Sequence, residues 1–187
     1  MLVFLDFEAS SLGKKSYPIE VAWVFQDGRS EEYLIRPAPD WTEWDAEAEA
    51  IHHIPHALLL TDGIPHDVVA RRMVEVLAEH DLLASAPSWD GKWLSTLLRA
   101  AGLPRHSLRL RDSDDAHYEC AATILRPFVA AEQLDASVRN LLALTEVRSA
   151  EQPPAHRALP DALEERERWL AVGEAARAFV RHGTKGG

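Results

Sequence analysis

Short apolar runs crowd the first part of the chain, and helical periodicity dominates the rest. Residues 2–7 (Leu-Val-Phe-Leu-Asp-Phe) have the pattern of a buried strand that ends in acid. Residues 19–25 and 31–36 have the same β character, and Asp27-Gly28 between them is a tight-turn pair. Together these runs predict an antiparallel three-stranded meander. Pro37, Pro39 and Asp40 interrupt the pattern, and a short helix is expected over 45–51, with Asp45 as its cap and Pro55 as its stop. Pro65 falls in the first turn of a longer helix, in which Val69, Met73, Val76 and Leu77 recur at helical spacing.

An apolar run at 82–86 predicts another strand. Asp90 then opens a helix with Trp93, Leu94, Leu97 and Ala101 on its inner face, closed by Gly102 and Pro104. Residues 108–110 suit an edge strand. Helices are expected over 115–128, 132–144 and 157–182, the last with a bend at Gly173. Residues 151–154 (Glu-Gln-Pro-Pro) suit a surface loop, and 183–187 a frayed tail. This order predicts an α/β fold: a central mixed five-stranded sheet, meander plus parallel strands, flanked by helices in one domain over 1–182.

Composition narrows the function classes. At 187 residues the chain is long enough to bury a core without disulfides, and its one cysteine, Cys120, forbids an internal disulfide framework or an all-cysteine metal site. A reducing, cytoplasmic compartment is the simplest reading. No apolar run has the length to span a bilayer, and the start lacks the layout of a signal peptide. A formal net charge of −10 argues against a protein held to nucleic acid mainly by a basic surface. It leaves room for an enzyme that meets phosphate through bound metal.

Three acidic elements carry candidate chemistry. Asp6 and Glu8 are two apart on a strand, so their carboxylates share a face. Two such groups at the end of a buried strand repel unless a cation neutralises them, and oxygen-only ligands favour Mg²⁺ or Mn²⁺. A strand that simply ends in solvated acids has the same sequence. Asp90 suits a first-turn helix acid as well as a ligand. His156 precedes Asp161 by five residues where the final helix begins, a spacing that can place a general base and a ligand over one spot. A surface His-Arg pair followed by a capping acid fits equally.

Taken jointly, Asp6-x-Glu8, Asp90 after Trp89, and His156-x₄-Asp161 resemble the three motifs of the DEDDh 3′–5′ exonucleases, a family with a ribonuclease H-like fold. Ile51-His52-His53-Ile54 is similar to the family's Ile-His-Gly-Ile segment, and His156 to Ala162 to its His-Arg-Ala-Leu-x-Asp-Ala. The likeness spans residues 2–170. The chain departs from the family pattern at Ala9-Ser10-Ser11 before Leu12, at Ser85-Ala86 before the second motif, and at Pro160 in place of glycine. None of these removes a ligand or the base.

The resemblance implies two-metal phosphodiester hydrolysis with two Mg²⁺ ions per site, for which Mn²⁺ can substitute. Asp6, Glu8 and Asp161 would hold the ion that activates water. Asp6 would bridge to a second ion completed by Asp90, and His156 would take the proton from the attacking water. Ala9 and Ser10 would offer backbone N–H groups to the terminal 3′ hydroxyl, Leu12 would wedge against a base unless it packs in the core, and His52 would lie near the groove or serve structure.

The implied activity is release of 5′-mononucleotides from the 3′ end of single-stranded or short nucleic acid, with DNA favoured. An oligoribonuclease-like RNA trimmer and a polymerase- or repair-associated binding module are the alternatives, and a homodimer is left open. No membrane partner is expected. Lys14 and Lys15 suit either a phosphate contact or a solvated turn. A zinc site at His52, His53 and His56 is disfavoured because Pro55 breaks the register. Trp41 and Trp44 suit loop anchors better than base stackers, and Cys120 suits a buried small apolar group.

Overall fold

The computed structural model describes residues 1–149 and 155–183, so the loop expected at 151–154 and all but Gly183 of the tail expected at 183–187 lie outside the described residues; Gly183 ends the last helix. The chain forms two compact units: Met1–Asp112 with Ala155–Leu163, and Ser113–Pro154 with Glu164–Gly187.

The first unit is built on a six-stranded mixed sheet. β1 (Leu2–Ala9), β2 (Pro18–Phe25) and β3 (Ser30–Arg36) form the expected antiparallel meander. Gly28 takes a positive φ of 94° in the turn between β2 and β3, a conformation that a side chain would oppose. β4 (Ile64–Pro65) adds a two-residue parallel strand beside β3, one strand beyond the five that the sequence predicts. It was hidden because Pro65 reads as a helix-start residue. Pro65 is the N-cap residue of the next helix and at the same time pairs with Arg36 of β3.

β5 (Asp81–Ala84) lies parallel to β1 and β6 (Leu110–Asp112) parallel to β5, giving the order β4-β3-β2-β1-β5-β6. β6 falls two residues later than the pattern suggested, because Leu108 is buried in the core instead.

The helices of this unit are α1 (Ala46–His52), α2 (His56–Thr61), α3 (His66–Leu77) and α4 (Pro87–Ala100). Asp45 caps α1 by accepting the Glu47 N–H at 2.9 Å. Pro55 ends α1 as expected and also opens α2, a helix the sequence reading left out. α4 starts three residues before Asp90, since Pro87 supplies a pre-set first-turn φ.

Alternate residues of β1 sort cleanly. Val3, Leu5, Phe7 and Ala9 join Trp23, Met73, Leu77, Trp93 and Leu97 in the large core, while Asp6 and Glu8 face the other way. A smaller core of Tyr17, Ile19, Ile54 and Leu59 sits under the loop after β3, with Trp41 and Trp44 packed on it.

The second unit is helical: α5 (Ser113–Leu125), α6 (Ala131–Ser149) and the body of α7 (Ala158–Gly183), around Ala121, Leu125, Val138, Val172 and Ala176. Cys120 packs at the margin of this core. No helix among the described residues is long and apolar enough to cross a membrane.

Candidate active site

The site forms where β1 runs out. Carboxylate oxygens of Asp6, Glu8 and Asp161 lie within 4.8 Å of one another. The period of β1 aims the first two to one face, and the start of α7 brings the third to them. Among the described residues this is the one trio of acids, histidines or cysteines close enough to share a metal ion. The set is oxygen-only, which suits a hard divalent cation.

Burial and mutual repulsion leave these acids poorly compensated. Burial, then the charges of Asp90, Glu8, Asp161 and Glu20, holds the Asp6 carboxyl well above the ordinary carboxylate range. Burial, with Asp161 and Glu20 beside it, pushes Glu8 up to about 8, against the pull of Arg157. Asp90 sits in the first turn of α4 with 2% of its surface exposed, and its Oδ2 has no hydrogen-bond partner. Burial raises it to about 7, although backbone groups of Ala86 and Phe7 favour its charged form. Asp90 stands outside the close trio, but its field reaches Asp6. A buried acid with an unpaired oxygen, beside three crowded carboxylates, calls for positive charge.

His156 is exposed and takes a positive φ of 51°, just ahead of α7. The Ala155 N–H donates to Asp161 Oδ1 at 3.0 Å, so the loop that carries His156 is tied to a member of the trio. On the other side of His156, Arg157 and the Ala158 N–H both donate to Glu20, a wholly buried residue of β2. Neither Glu20 nor Arg157 is among the site residues that the sequence predicts. The available signal was a lone charge inside the apolar run Ile19-Glu-Val-Ala-Trp-Val-Phe25, which requires a partner.

The remaining predicted residues divide. Leu12 is 69% exposed on the loop after β1, so it does not pack in the core. Ala9 is buried at the end of β1. The backbone amide of Ser10, expected to face a substrate hydroxyl, is instead engaged. It donates to the Tyr17 carbonyl at 3.0 Å, while the Ser10 hydroxyl accepts the Tyr17 N–H. Ser10 therefore shapes the loop, and a donor already paired is not free for substrate.

His52 is buried. Its Nδ1 accepts the Ile54 N–H at 3.0 Å, and burial lowers its pKa. That fits a neutral, structural imidazole, and the histidines at 52, 53 and 56 form no metal-competent group among the described residues. Lys14 and Lys15 are exposed. Trp41 stacks on Tyr17 with centroids 5.2 Å apart, and Trp44 donates its indole N–H to Glu49 at 2.7 Å, so both anchor the loop. Trp89, next to Asp90, is 38% exposed and stacks on Trp93.

A mixed sheet flanked by helices, with this strand order, is a ribonuclease H-like fold. Solved structures of exonuclease I, a DEDDh 3′–5′ exonuclease, share it. E. coli exonuclease I in complex with a dT13 oligonucleotide superposes with a TM-score of 0.65 at 18% identity, covering 95% of this chain and 42% of that one. The zinc-bound E. coli exonuclease I complex with single-stranded DNA gives 0.62 at 18% identity, covering 89% and 38%. Exonuclease I from Methylocaldum szegediense gives 0.64 at 18% identity, covering 90% and 40%. The chain thus spans about two fifths of the length of these structures. No protein-family model matches the sequence, and no curated protein matches it.

Proposed function

We propose that this protein is a metal-dependent 3′–5′ exonuclease that acts on single-stranded or short nucleic acid, with DNA favoured. The observation that carries the reading is the crowding of Asp6, Glu8 and Asp161 within 4.8 Å, in a fold shared with exonuclease I. Complexes of E. coli exonuclease I with dT13, with dA16 and with single-stranded DNA plus zinc support both the substrate class and a divalent cofactor.

The donor set fits such a cofactor. Asp6, Glu8 and Asp161 would hold one divalent ion, and Asp6 with Asp90, whose buried Oδ2 is unpaired, a second, with Mg²⁺ as the physiological choice. Bound there, the ions would neutralise the phosphodiester and stabilise charge on the attacking and leaving oxygens. The chain's own groups supply the rest. The acids must be ionised to act, and the raised pKa values of Asp6, Glu8 and Asp90 mean that binding a cation there releases protons. His156 accepts a proton from the attacking water and needs its loop held still to do so. Leu12, exposed beside the end of β1, offers an apolar wedge for the terminal base.

The test is incubation of the protein with labelled single-stranded DNA, duplex DNA and short RNA, each with Mg²⁺, Mn²⁺ or EDTA. The reading expects mononucleotides from single-stranded DNA with either metal and none with EDTA. Absence of cleavage in every arm would refute it.

A further inference from the structure

Glu20 pairs with Glu8 across β1 and β2, so its side chain emerges on the same face as the metal-competent acids. A buried carboxylate there would ordinarily count as one more ligand. Its contacts exclude that role. Arg157 Nη2 donates to Oε1 at 2.6 Å and Arg157 Nε to Oε2 at 3.0 Å, while the Ala158 N–H donates to Oε2 at 2.9 Å. Both oxygens are thus taken by fixed donors, and the guanidinium supplies the opposing charge with a fork geometry that lysine cannot copy.

What these donors flank is His156. Its φ of 51° lies in the left-handed region, which is disfavoured for any residue with a Cβ and persists only where the surroundings impose it. The chain is pinned immediately before His156, where the Ala155 N–H meets Asp161, and immediately after it, where Arg157 and Ala158 meet Glu20. Two anchors, one on each side, define the turn that presents the imidazole.

We propose that Glu20 and Arg157 are a positioning pair for His156: they hold the left-handed turn and thereby aim the imidazole at the attacking water. Neither residue touches a reacting atom. The proposal rests on the reading of His156 as the general base. It differs from a role in metal binding, because Glu20 has no oxygen to spare, and from bulk stabilisation, because its effect runs through one side chain.

The experiment is a double-mutant cycle of Glu20→Gln with His156→Ala, on single-stranded DNA at saturating Mg²⁺, with Mg²⁺ titrations alongside. Glu20→Gln keeps the shape and removes the charge and one acceptor. It should lower kcat by roughly tenfold to a hundredfold, the scale of a misplaced catalytic group, while leaving KM and the half-saturating Mg²⁺ concentration within about twofold. In the His156→Ala background the same change should cost less than about threefold. An equal loss in both backgrounds overturns the proposal.

Arg157→Lys keeps the charge without the fork and repeats the cycle if Glu20→Gln does not fold. A second readout is independent of turnover: the ring resonances of His156 by NMR should shift and broaden in either variant. If the wild type cuts nothing, the exonuclease reading fails on its own account. Unchanged His156 resonances would then overturn the positioning claim separately.

Discussion

Raising the pH of the metal-free protein should cost it stability, and Glu8→Gln should remove a large part of that cost. The Glu8 carboxyl loses its proton near 4.5 in the unfolded chain and near 8 in the fold. Between those values the native state binds more protons, so stability is fully present below about 4.5 and is lost as pH rises through about 8. The interval from 4.5 to pH 7, at about 1.4 kcal/mol per pH unit, comes to roughly 3 kcal/mol. Asp6 and Asp90 act in the same direction, but they share the same field, so their contributions do not simply add. A chain of this size loses roughly 2–4 °C of Tm per kcal/mol, giving a difference of roughly 6–12 °C.

The assay is thermal unfolding in EDTA at several pH values from 5 to 8, for wild type and Glu8→Gln. The variant should melt above wild type at pH 8, with the gap closing toward pH 5. Mg²⁺ added at pH 8 should raise the wild-type Tm and do less for the variant. A variant that melts at or below wild type at pH 8, or a gap that does not change with pH, would refute the reasoning.

Asp6→Asn and Asp161→Asn should each nearly abolish nuclease activity while leaving a cooperative melt, measured by turnover and calorimetry on the same preparations. His156→Ala should reduce kcat by roughly 10²–10⁴ with little change in substrate affinity, and a variant with wild-type turnover would remove His156 from the mechanism. Leu12→Ala should weaken binding of a single-stranded oligonucleotide, by at most roughly 1.5–3 kcal/mol, the worth of fully burying a leucine side chain, if the exposed leucine seats the terminal base, read by fluorescence anisotropy in Ca²⁺. It should leave Tm almost unchanged, because Leu12 packs on nothing in the core.

Much of the architecture was legible because it rests on local patterns. The Asp27-Gly28 turn, the Asp45 cap and the buried face of α4 each announce themselves within a few residues. β4 did not, since two residues paired to a distant strand carry no periodicity, and α2 follows a proline that reads first as a stop. At the site, the trio of Asp6, Glu8 and Asp161 converges as the motifs implied, because strand alternation fixes two of its members. The Ser10 amide was misjudged because its acceptor, the Tyr17 carbonyl, lies across a loop whose path the sequence does not encode locally. Glu20 and Arg157 were missed for a related reason: their partnership spans 137 positions, and only the charge buried within β2 hinted at it.

The central claim is that crowded carboxylates at the end of β1 direct metal-dependent cleavage from a 3′ end. Its most direct measurement is a time course on one single-stranded oligonucleotide labelled at the 3′ end in one sample and at the 5′ end in another, with Mg²⁺ and with excess EDTA. The account predicts that the 3′ label leaves first as a mononucleotide, that the 5′ label shortens stepwise, and that EDTA stops both. Full turnover in EDTA, or internal fragments that precede release of the 3′ label, would contradict it.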